Sequence, residues 1–298
     1  MSKYFEPGSG RRKPSIGFVS TYPPTKCGIA TFTASLWNAI ATGRGSDDGL
    51  DVVALVEVDS KGQKPEVICE HLAGDANSLD RAVETLQAHD VAVVQHEYGI
   101  YGGRDGEEVL DFAYQLDVPT VVILHTVLES PTPRQKMILE AIVDQSDRAV
   151  VLSKSALRRL ASRYDVDQRK LAFIPHGAAQ GLSGPSLATG TRPLVMTWGL
   201  ISPGKGLETS IEAFGALTDI RPLPRYLILG GTHPKVHASQ GDAYLSGLKA
   251  GASALGLDGV VEFGGRYLDL DPLVMAIREA NVILIPYESK DQVTSGVL

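Results

Sequence analysis

The feature that most constrains the fold is an alternation of short apolar runs with helical patterns along almost the whole chain. Such alternation is typical of parallel sheets whose faces are covered by the connecting helices. The predicted strands are Ile16–Ser20, Val52–Val56, Val67–Glu70, Val91–Gln95, Thr120–Leu124, Ala149–Leu152, Leu171–Ile174, Leu194–Trp198, Tyr226–Leu229, Val260–Phe263 and Val282–Ile285. The best-marked helices are Thr31–Ile40, Ser78–Ala88, Glu107–Leu116, Thr132–Gln145, Ser153–Tyr164, Gly206–Leu217, Asp242–Leu255 and Pro272–Ala280.

The alternation is interrupted once, which predicts two α/β domains with doubly wound parallel sheets. Residues 1–14 are a polar leader that we expect to be disordered, and residues 15–177 form the first domain. Residues 178–192 are rich in Ala, Gly and Ser and predict a linker, and residues 193–298 form the second domain. If the second sheet has the common order, its first four strands run 3-2-1-4 and Val282–Ile285 is an edge strand. We expect the ligand in a cleft between the domains, beyond the carboxyl ends of the strands.

Composition and charge exclude several classes of protein. The chain of 298 residues has a net charge of −7 and no long basic block, which argues against nucleic acid as a partner. Cys27 and Cys69 fit no metal or redox spacing, and no apolar run is long enough for a signal peptide or a membrane span. We therefore expect a cytoplasmic protein. Lys154, Arg158, Arg159 and Arg163 on one predicted helix leave a weak peripheral contact with anionic lipids open.

The stretch from Gly199 to Gly206, GLISPGKG, is the strongest functional signal. It joins a predicted buried strand to a predicted helix, where the first backbone N–H groups are unpaired and favour an anion. Lys205 strengthens this interpretation, because a cation at the start of a helix is mildly unfavourable unless an anion is bound there. The stretch therefore predicts a phosphate site. The alternative is a surface lysine in a Gly/Pro turn.

GLISPGKG also comes close to the P-loop pattern of nucleotide triphosphatases. That pattern needs Ser or Thr after the lysine, to hold magnesium, and this chain has Gly206 there. A P-loop NTPase therefore remains only a remote alternative.

Polar and glycine residues also follow strands of the first domain. Gly28 stands beside a helix start, where it lets backbone approach a ligand, but the three-glycine fingerprint of dinucleotide-binding enzymes is missing. His96 to Gly103 form an aromatic, glycine-rich loop suited to packing against sugar rings. His125 and Thr126 follow the next strand. A lone loop histidine is usually structural, but two histidines at neighbouring strand ends favour a site.

Taken together, these motifs resemble the GT-B glycosyltransferases of the family 4 type, which are retaining enzymes that use nucleotide-sugars. The resemblance covers nearly the whole chain and rests on motifs that occur in the family's order. They are Cys27-Gly28, His125, Ile174-Pro175-His176-Gly177, GLISPGKG, Val261 to Arg266, Ile285-Pro286-Tyr287 and Thr294 to Leu298.

The resemblance implies a role for each matching residue. Lys205, with Gly199 at the start of its loop, would hold the donor diphosphate, and Gly28 would approach the same phosphates when the domains close. His125 would lie beside the transferred sugar. His96, Tyr98 and Thr126 would face the acceptor, and Gly265 and Tyr267 would lie at the nucleotide base. The family usually has an arginine after the first glycine of the loop, where this chain has Leu200.

The last segment departs from the family pattern. The family has two glutamates separated by seven residues, and the alignment places Gln292 at the first of them. Thr294, Ser295 and Gly296 then match the small residues whose amides face phosphate and sugar, and the second glutamate falls beyond Leu298. An amide at Gln292 supplies no negative charge near the sugar. We therefore expect the chain to be a C-terminally truncated part of a longer enzyme.

The resulting hypothesis is a metal-independent retaining hexosyltransferase that needs no cofactor. It would transfer a sugar from a UDP-, GDP- or ADP-sugar to a glycan, lipid-linked or small-molecule acceptor. Two alternatives stay open: a nucleotide-sugar epimerase of the same fold, and a nucleotide-sugar binding protein without catalytic activity. The sequence names neither the sugar, the base, the acceptor nor the oligomeric state.

Overall fold

The computed structural model describes residues 12–57, 64–178, 190, 192–217 and 219–288. The chain divides into two compact units, with the boundary between His176 and Gly177. The described residues up to His176 are called the first unit here, and those from Gly177 onward the second unit.

The first unit is a parallel sheet with helices between its strands. Its strands are β1 (Ile16–Ser20), β2 (Leu50–Val56), β3 (Val67–Leu72), β4 (Val91–His96), β5 (Thr120–Leu124), β6 (Arg148–Val151) and β7 (Leu171–Phe173). Its helices are α1 (Gly28–Arg44), α2 (Ala76–Gln87), α3 (Val109–Gln115), α4 (Pro133–Gln145) and α5 (Lys154–Arg163). The strand order is β3-β2-β1-β4-β5-β6-β7, so β1 and β4 lie at the point where the order reverses. In open sheets of this kind, ligands bind at that point.

Two apolar clusters cover the two faces of this sheet. Val94 and Leu124 belong to one cluster, whereas their chain neighbours Val93 and Ile123 belong to the other. This division follows from the period of two along a strand, because successive side chains point to opposite faces. It also fixes the face on which each residue at the ends of β4 and β5 lies.

The second unit repeats the same plan on a smaller scale. Its strands are β8 (Leu194–Trp198), β9 (Arg225–Leu229), β10 (Val261–Phe263) and β11 (Val282–Ile283). Its helices are α6 (Leu207–Gly215), α7 (Pro234–Gln240), α8 (Ala243–Ala254) and α9 (Leu270–Glu279). The strands pair in parallel in the order β10-β9-β8-β11, which is the common order 3-2-1-4, so β11 is an edge strand. Both sheets confirm the predicted α/β, doubly wound fold class.

Several element boundaries differ from the prediction for local reasons. Helix α1 begins at Gly28 rather than Thr31, because the Cys27 thiol caps it by accepting a hydrogen bond from the Ala30 amide at 3.3 Å. A separate 3-10 turn, Arg104–Gly106, precedes α3, so the predicted helix from Glu107 begins only at Val109. Helix α7 was not predicted. Its proline at the first turn and its cap, in which His233 Nδ1 accepts from the Lys235 amide, are signals that could have found it.

The basic cluster on α5 is partly satisfied within the protein. Arg159 donates to the Val127 carbonyl at 2.7 Å, and both Arg159 and Arg163 pair with Glu129. Lys154 and Arg158 are exposed. In the part of the chain that the structure describes, no helix has the length and apolar character needed to cross a membrane.

Candidate functional site

The GLISPGKG loop lies at the carboxyl end of β8, as predicted. The Gly199 amide donates to the Leu229 carbonyl at 3.0 Å, and the Ile201 amide donates to the Gly231 carbonyl at 2.8 Å. Ile201 is 1% exposed and belongs to the core of the second unit. Because its first half is anchored to the neighbouring strand in this way, the loop turns at a fixed place. Lys205 therefore stands next to the start of α6 at Leu207.

Lys205 carries a charge that no carboxylate among the described residues neutralises through an ion pair. Its side chain is half-buried, and burial lowers the pKa of its ammonium group. The ammonium nitrogen lies 4.1 Å from the centre of the Tyr287 ring. A partly desolvated cation beside the N-terminus of a helix is an arrangement suited to binding an anion.

Loops from the neighbouring strands approach the same place. A side chain at Gly231, after β9, would come within 3.8 Å of the Tyr267 amide, in the loop after β10. Gly265 has a φ of +66°, which glycine adopts without strain, and it opens this second loop. Trp198, Gly199, Leu200, Lys205 and Tyr287 are among the residues that line a small pocket here. The structure thus brings Gly199, Lys205, Gly265 and Tyr267 to one edge of the second sheet.

His233 is a member of this group that the sequence analysis did not identify. The His233 amide donates to the Ile201 carbonyl of the GLISPGKG loop at 2.9 Å. Burial is the main cause that lowers the pKa of its imidazole, and the positive charges of Lys235 and Lys205 lower this pKa further, so the ring is mainly neutral at pH 7. The run Gly230-Gly231-Thr232-His233 directly after a strand is the signal that could have found it. As a neutral ring, His233 supplies a hydrogen bond but does not replace the cation that is missing at Leu200.

In the first unit, His125 is held by a buried amide. His125 Nε2 lies 2.7 Å from Gln95 Oε1, and Gln95 is 0% exposed. The His125 ring packs edge-on against Phe32 of α1, with ring centres 4.8 Å apart. Burial, together with smaller contributions from His176 and His96, lowers the pKa of His125 to about 3. His125 is therefore neutral at pH 7. It can donate or accept a hydrogen bond, but it cannot act as a general acid. Gln95 was not identified from the sequence.

Thr126 and Gly28 are placed differently. The Thr126 hydroxyl donates to the Glu97 carboxylate, which also accepts from the Tyr98 amide at 3.0 Å. Glu97 is a further charged group at the end of β4 that the sequence analysis did not single out. Gly28 is exposed at the start of α1, and a side chain there would meet nothing within 4 Å. The space beside Gly28 is consistent with close approach of a ligand.

The predicted acceptor residues His96 and Tyr98 are not open to a ligand in the first unit, although the His125 amide donates to the His96 carbonyl at 3.0 Å. His96 is 0% exposed, and neither of its ring nitrogens has a hydrogen-bond partner among the described residues. It packs against Tyr98 with ring centres 5.0 Å apart, and the Tyr98 hydroxyl donates to the Gln135 carbonyl of α4 at 3.2 Å. Since Gln95 and His96 are adjacent on β4, they face opposite sides of the sheet. The His96 and Tyr98 side chains therefore pack inside the first unit, and this geometry favours a structural role for both.

Replacing His96 with leucine is expected to make stability less sensitive to acid. Burial lowers the pKa of His96 to about 4, whereas an unfolded histidine titrates near 6.5. The unfolded chain therefore takes up a proton first, and each such histidine costs about 2 kcal/mol of stability between pH 7.5 and pH 5. His96→Leu removes this loss. At pH 7.5 it is expected to be nearly neutral, because the ring nitrogens make no hydrogen bond that is lost.

Urea unfolding at pH 7.5, 6 and 5 measures this effect. In a Trp198→Phe background, the fluorescence of Trp37, which is buried in the first unit, reports on that unit. His237→Gln is a control for histidine removal in general: the His237 side chain is 62% exposed and lies in the second unit, so the pH dependence of the Trp37 transition should stay that of the parent. A pH dependence that is as steep in His96→Leu as in the parent would contradict the prediction. A large loss of sugar transfer in His96→Leu would restore the acceptor role.

Gln292, Thr294, Ser295 and Gly296, which the sequence analysis placed at the donor, lie outside the described residues. Among the residues that are described, no group of three or more His, Cys, Asp or Glu is arranged to hold a metal ion.

Comparison with solved structures defines the class of fold. The chain is similar to Anabaena HepE in complex with UDP and glucose, with a TM-score of 0.68 and 13% identity, over 94% of this chain and 76% of HepE. It is also similar to a glycosyltransferase from Rickettsia africae, with a TM-score of 0.62 and 13% identity, over 92% and 73% of the two chains. WaaG, a glycosyltransferase involved in lipopolysaccharide biosynthesis, matches with a TM-score of 0.60 and 13% identity, over 93% and 76%.

These similarities show that the chain has the GT-B fold. Residues 40–179 match the model of the family described as Glycosyltransferase Family 4. The predicted resemblance to family 4 type glycosyltransferases is thus supported by the family match over these residues, and the predicted GT-B fold is confirmed over most of the chain. No curated protein matches the chain.

Proposed function

We propose that the chain is a retaining glycosyltransferase that moves a hexosyl unit from a nucleotide-sugar to a sugar or lipid-linked acceptor. The observation that carries the proposal is Lys205, a half-buried cation without a carboxylate partner among the described residues, beside the start of α6. Diphosphate is the group that this arrangement fits. The presence of UDP and glucose in the structure of HepE supports the same choice.

In this proposal the second unit, within the predicted donor domain 193–298, holds the donor. Lys205 and the amides at the start of α6 bind the diphosphate, while Gly265 and Tyr267 lie at the base. As the bond between the sugar C1 and the phosphate oxygen breaks, negative charge grows on the leaving diphosphate. Fixed donors aimed at such charge are usually the largest contribution to catalysis. Because Leu200 is apolar and His233 is neutral, Lys205 is the principal cation that stabilises the leaving diphosphate.

The first unit, within the predicted domain 15–177, supplies the groups that face the sugar. His125 lies beside the transferred sugar as a neutral hydrogen-bonding group. Thr126, held by Glu97, lies on the acceptor side. The acceptor hydroxyl attacks C1 on the face from which the diphosphate leaves, and its proton passes to a leaving-phosphate oxygen. The same face is used for departure and attack, so the anomeric configuration is retained.

We expect transfer to persist when divalent metals are removed. The charge of Lys205 and the dipole of α6 take the part that a metal plays in other transferases. The measurement is product analysis with UDP-, GDP- and ADP-glucose, each with a panel of acceptors, in EDTA and in added magnesium or manganese. Before that, thermal shifts with UDP, GDP and ADP identify the base.

The outcomes of the same assay separate the competing functions. A new glycoside whose anomeric configuration matches the donor supports the proposal. Sugar isomerised without an acceptor indicates an epimerase, and a thermal shift without any product indicates a binding protein. Activity that EDTA abolishes and magnesium restores would contradict metal independence.

A further inference from the structure

The segment Pro286–Glu288, which follows β11, lies directly on the GLISPGKG loop. The Glu288 amide donates to the Gly204 carbonyl at 3.2 Å. The Glu288 carboxylate accepts from the Thr209 hydroxyl in the first turns of α6 at 2.9 Å. The Pro286 carbonyl oxygen lies so close to Gly206 that an added side chain there would come within 2.0 Å of it. The segment thus bonds to the loop at Gly204 and to α6 at Thr209, and it packs closely against Gly206.

Tyr287 lies at the centre of this segment, and its ring faces the Lys205 ammonium at 4.1 Å. The face of an aromatic ring attracts a cation, and the attraction grows when the cation is partly desolvated, as Lys205 is. A carboxylate in this position would neutralise the ammonium and compete with an incoming phosphate. A ring holds the ammonium in place and leaves its charge for the ligand.

We propose that Tyr287 is a positioning residue, which holds Lys205 at the phosphate loop before the diphosphate binds. The proposal rests on the function proposed above for Lys205. Without the ring, a lysine side chain samples many rotamers, and their loss on binding weakens affinity. With the ring in place, the Lys205 side chain loses part of its rotamer entropy already on folding, so less is lost on binding. The ring matters in this role, and the tyrosine hydroxyl does not.

The test compares Tyr287→Phe, which keeps the ring, with Tyr287→Leu, which removes it. Titration calorimetry with UDP is expected to give the parent affinity for the phenylalanine variant. For the leucine variant we expect a dissociation constant about fivefold to tenfold higher, as follows from the loss of about 1 kcal/mol. Equal losses in both variants, or no loss in either, would overturn the proposal.

A second measurement needs no ligand. A proton above the face of an aromatic ring is shifted upfield in the NMR spectrum, so the Hε resonance of Lys205 reports the contact. We expect an upfield shift in the parent and in Tyr287→Phe, and its loss in Tyr287→Leu. Lys249 is the internal reference, because its ammonium lies 5.9 Å from the Phe263 ring and should not change.

This pair of measurements separates the two proposals. If no nucleoside diphosphate binds to the parent, the function proposed above fails. The Hε shift of Lys205 still shows whether the Tyr287 ring lies over the ammonium group. An Hε shift that is the same in all three proteins overturns the role of Tyr287 whatever the binding shows. Should Tyr287→Leu lower the urea midpoint, Tyr287→Met takes its place, since it also lacks a ring and fills a similar volume.

Discussion

Lys205→Ala is expected to lower the turnover of sugar transfer by roughly 100-fold to 1,000-fold, the loss typical of removing one preorganised donor at a developing charge. A loss near the upper end is expected, because Leu200 offers no second cation and His233 is neutral. Affinity for UDP should fall as well, since the ammonium also binds the diphosphate of the ground state. Steady-state kinetics and UDP titration measure the two effects separately.

The free energy of unfolding should change little in Lys205→Ala. The substitution loses the contact with the Tyr287 ring, but it also removes a cation that is unfavourable beside the N-terminus of a helix without an anion. Lys249→Ala is the matched control, because it removes another lysine that lies over an aromatic ring in the same unit. Near-normal turnover in Lys205→Ala, or an equal loss in Lys249→Ala, would contradict the role of Lys205.

The architecture could be predicted from the sequence because the physical signal is local. Strands buried on both faces contain continuous apolar runs, such as residues 91–94 in the predicted strand Val91–Gln95, which the structure extends by one residue to β4. The glycines around Lys205 also mark a strand-to-helix turn without any knowledge of the fold. The order of the second sheet followed from the usual topology of such domains. Predictions of this kind depend on a few neighbouring residues at a time.

The partners of the site residues could not be predicted, because they depend on how strands pair. Alternation along β4 separates Gln95 from His96, but the register that places Gln95 opposite Ile123, and so near His125, is absent from the sequence. A histidine at a strand end indicates a site residue from the sequence alone, but the His96 side chain is buried. Likewise, Lys205 and Tyr287 are 82 residues apart in the numbering and meet only because β11 pairs with β8.

Gly206→Ala is expected to destabilise the second unit and to abolish UDP binding. Gly206 has a φ of +66°, which costs about 1–2 kcal/mol for a residue with a side chain. In addition, the new methyl group would lie 2.0 Å from the Pro286 carbonyl oxygen, which is backbone and cannot rotate away. Forcing backbone apart adds about 1–3 kcal/mol. Either the loop or the Pro286–Glu288 segment must move, and both hold Lys205.

Gly204→Ala separates the backbone cost of a positive φ from the steric cost of the contact with Pro286. Gly204 has a φ of +81°, but a side chain there would meet nothing within 4 Å. Only the backbone cost of about 1–2 kcal/mol then applies. Hydrogen exchange of amides in β8 and α6 measures local stability in both variants. If Gly206→Ala opens these elements no more than Gly204→Ala does, the contact with Pro286 is not the reason for the glycine.

The same contact explains why the chain has no hydroxyl after the lysine of its phosphate loop. The sequence comparison treated Gly206 as a missing magnesium ligand, since a P-loop has Ser or Thr there. In the structure the Pro286 carbonyl occupies the space that any side chain would need. Gly206→Ser is therefore expected to unfold the loop, and not to create magnesium-dependent binding of ATP or GTP. Tight binding of either nucleotide with magnesium in this variant would revive the NTPase alternative.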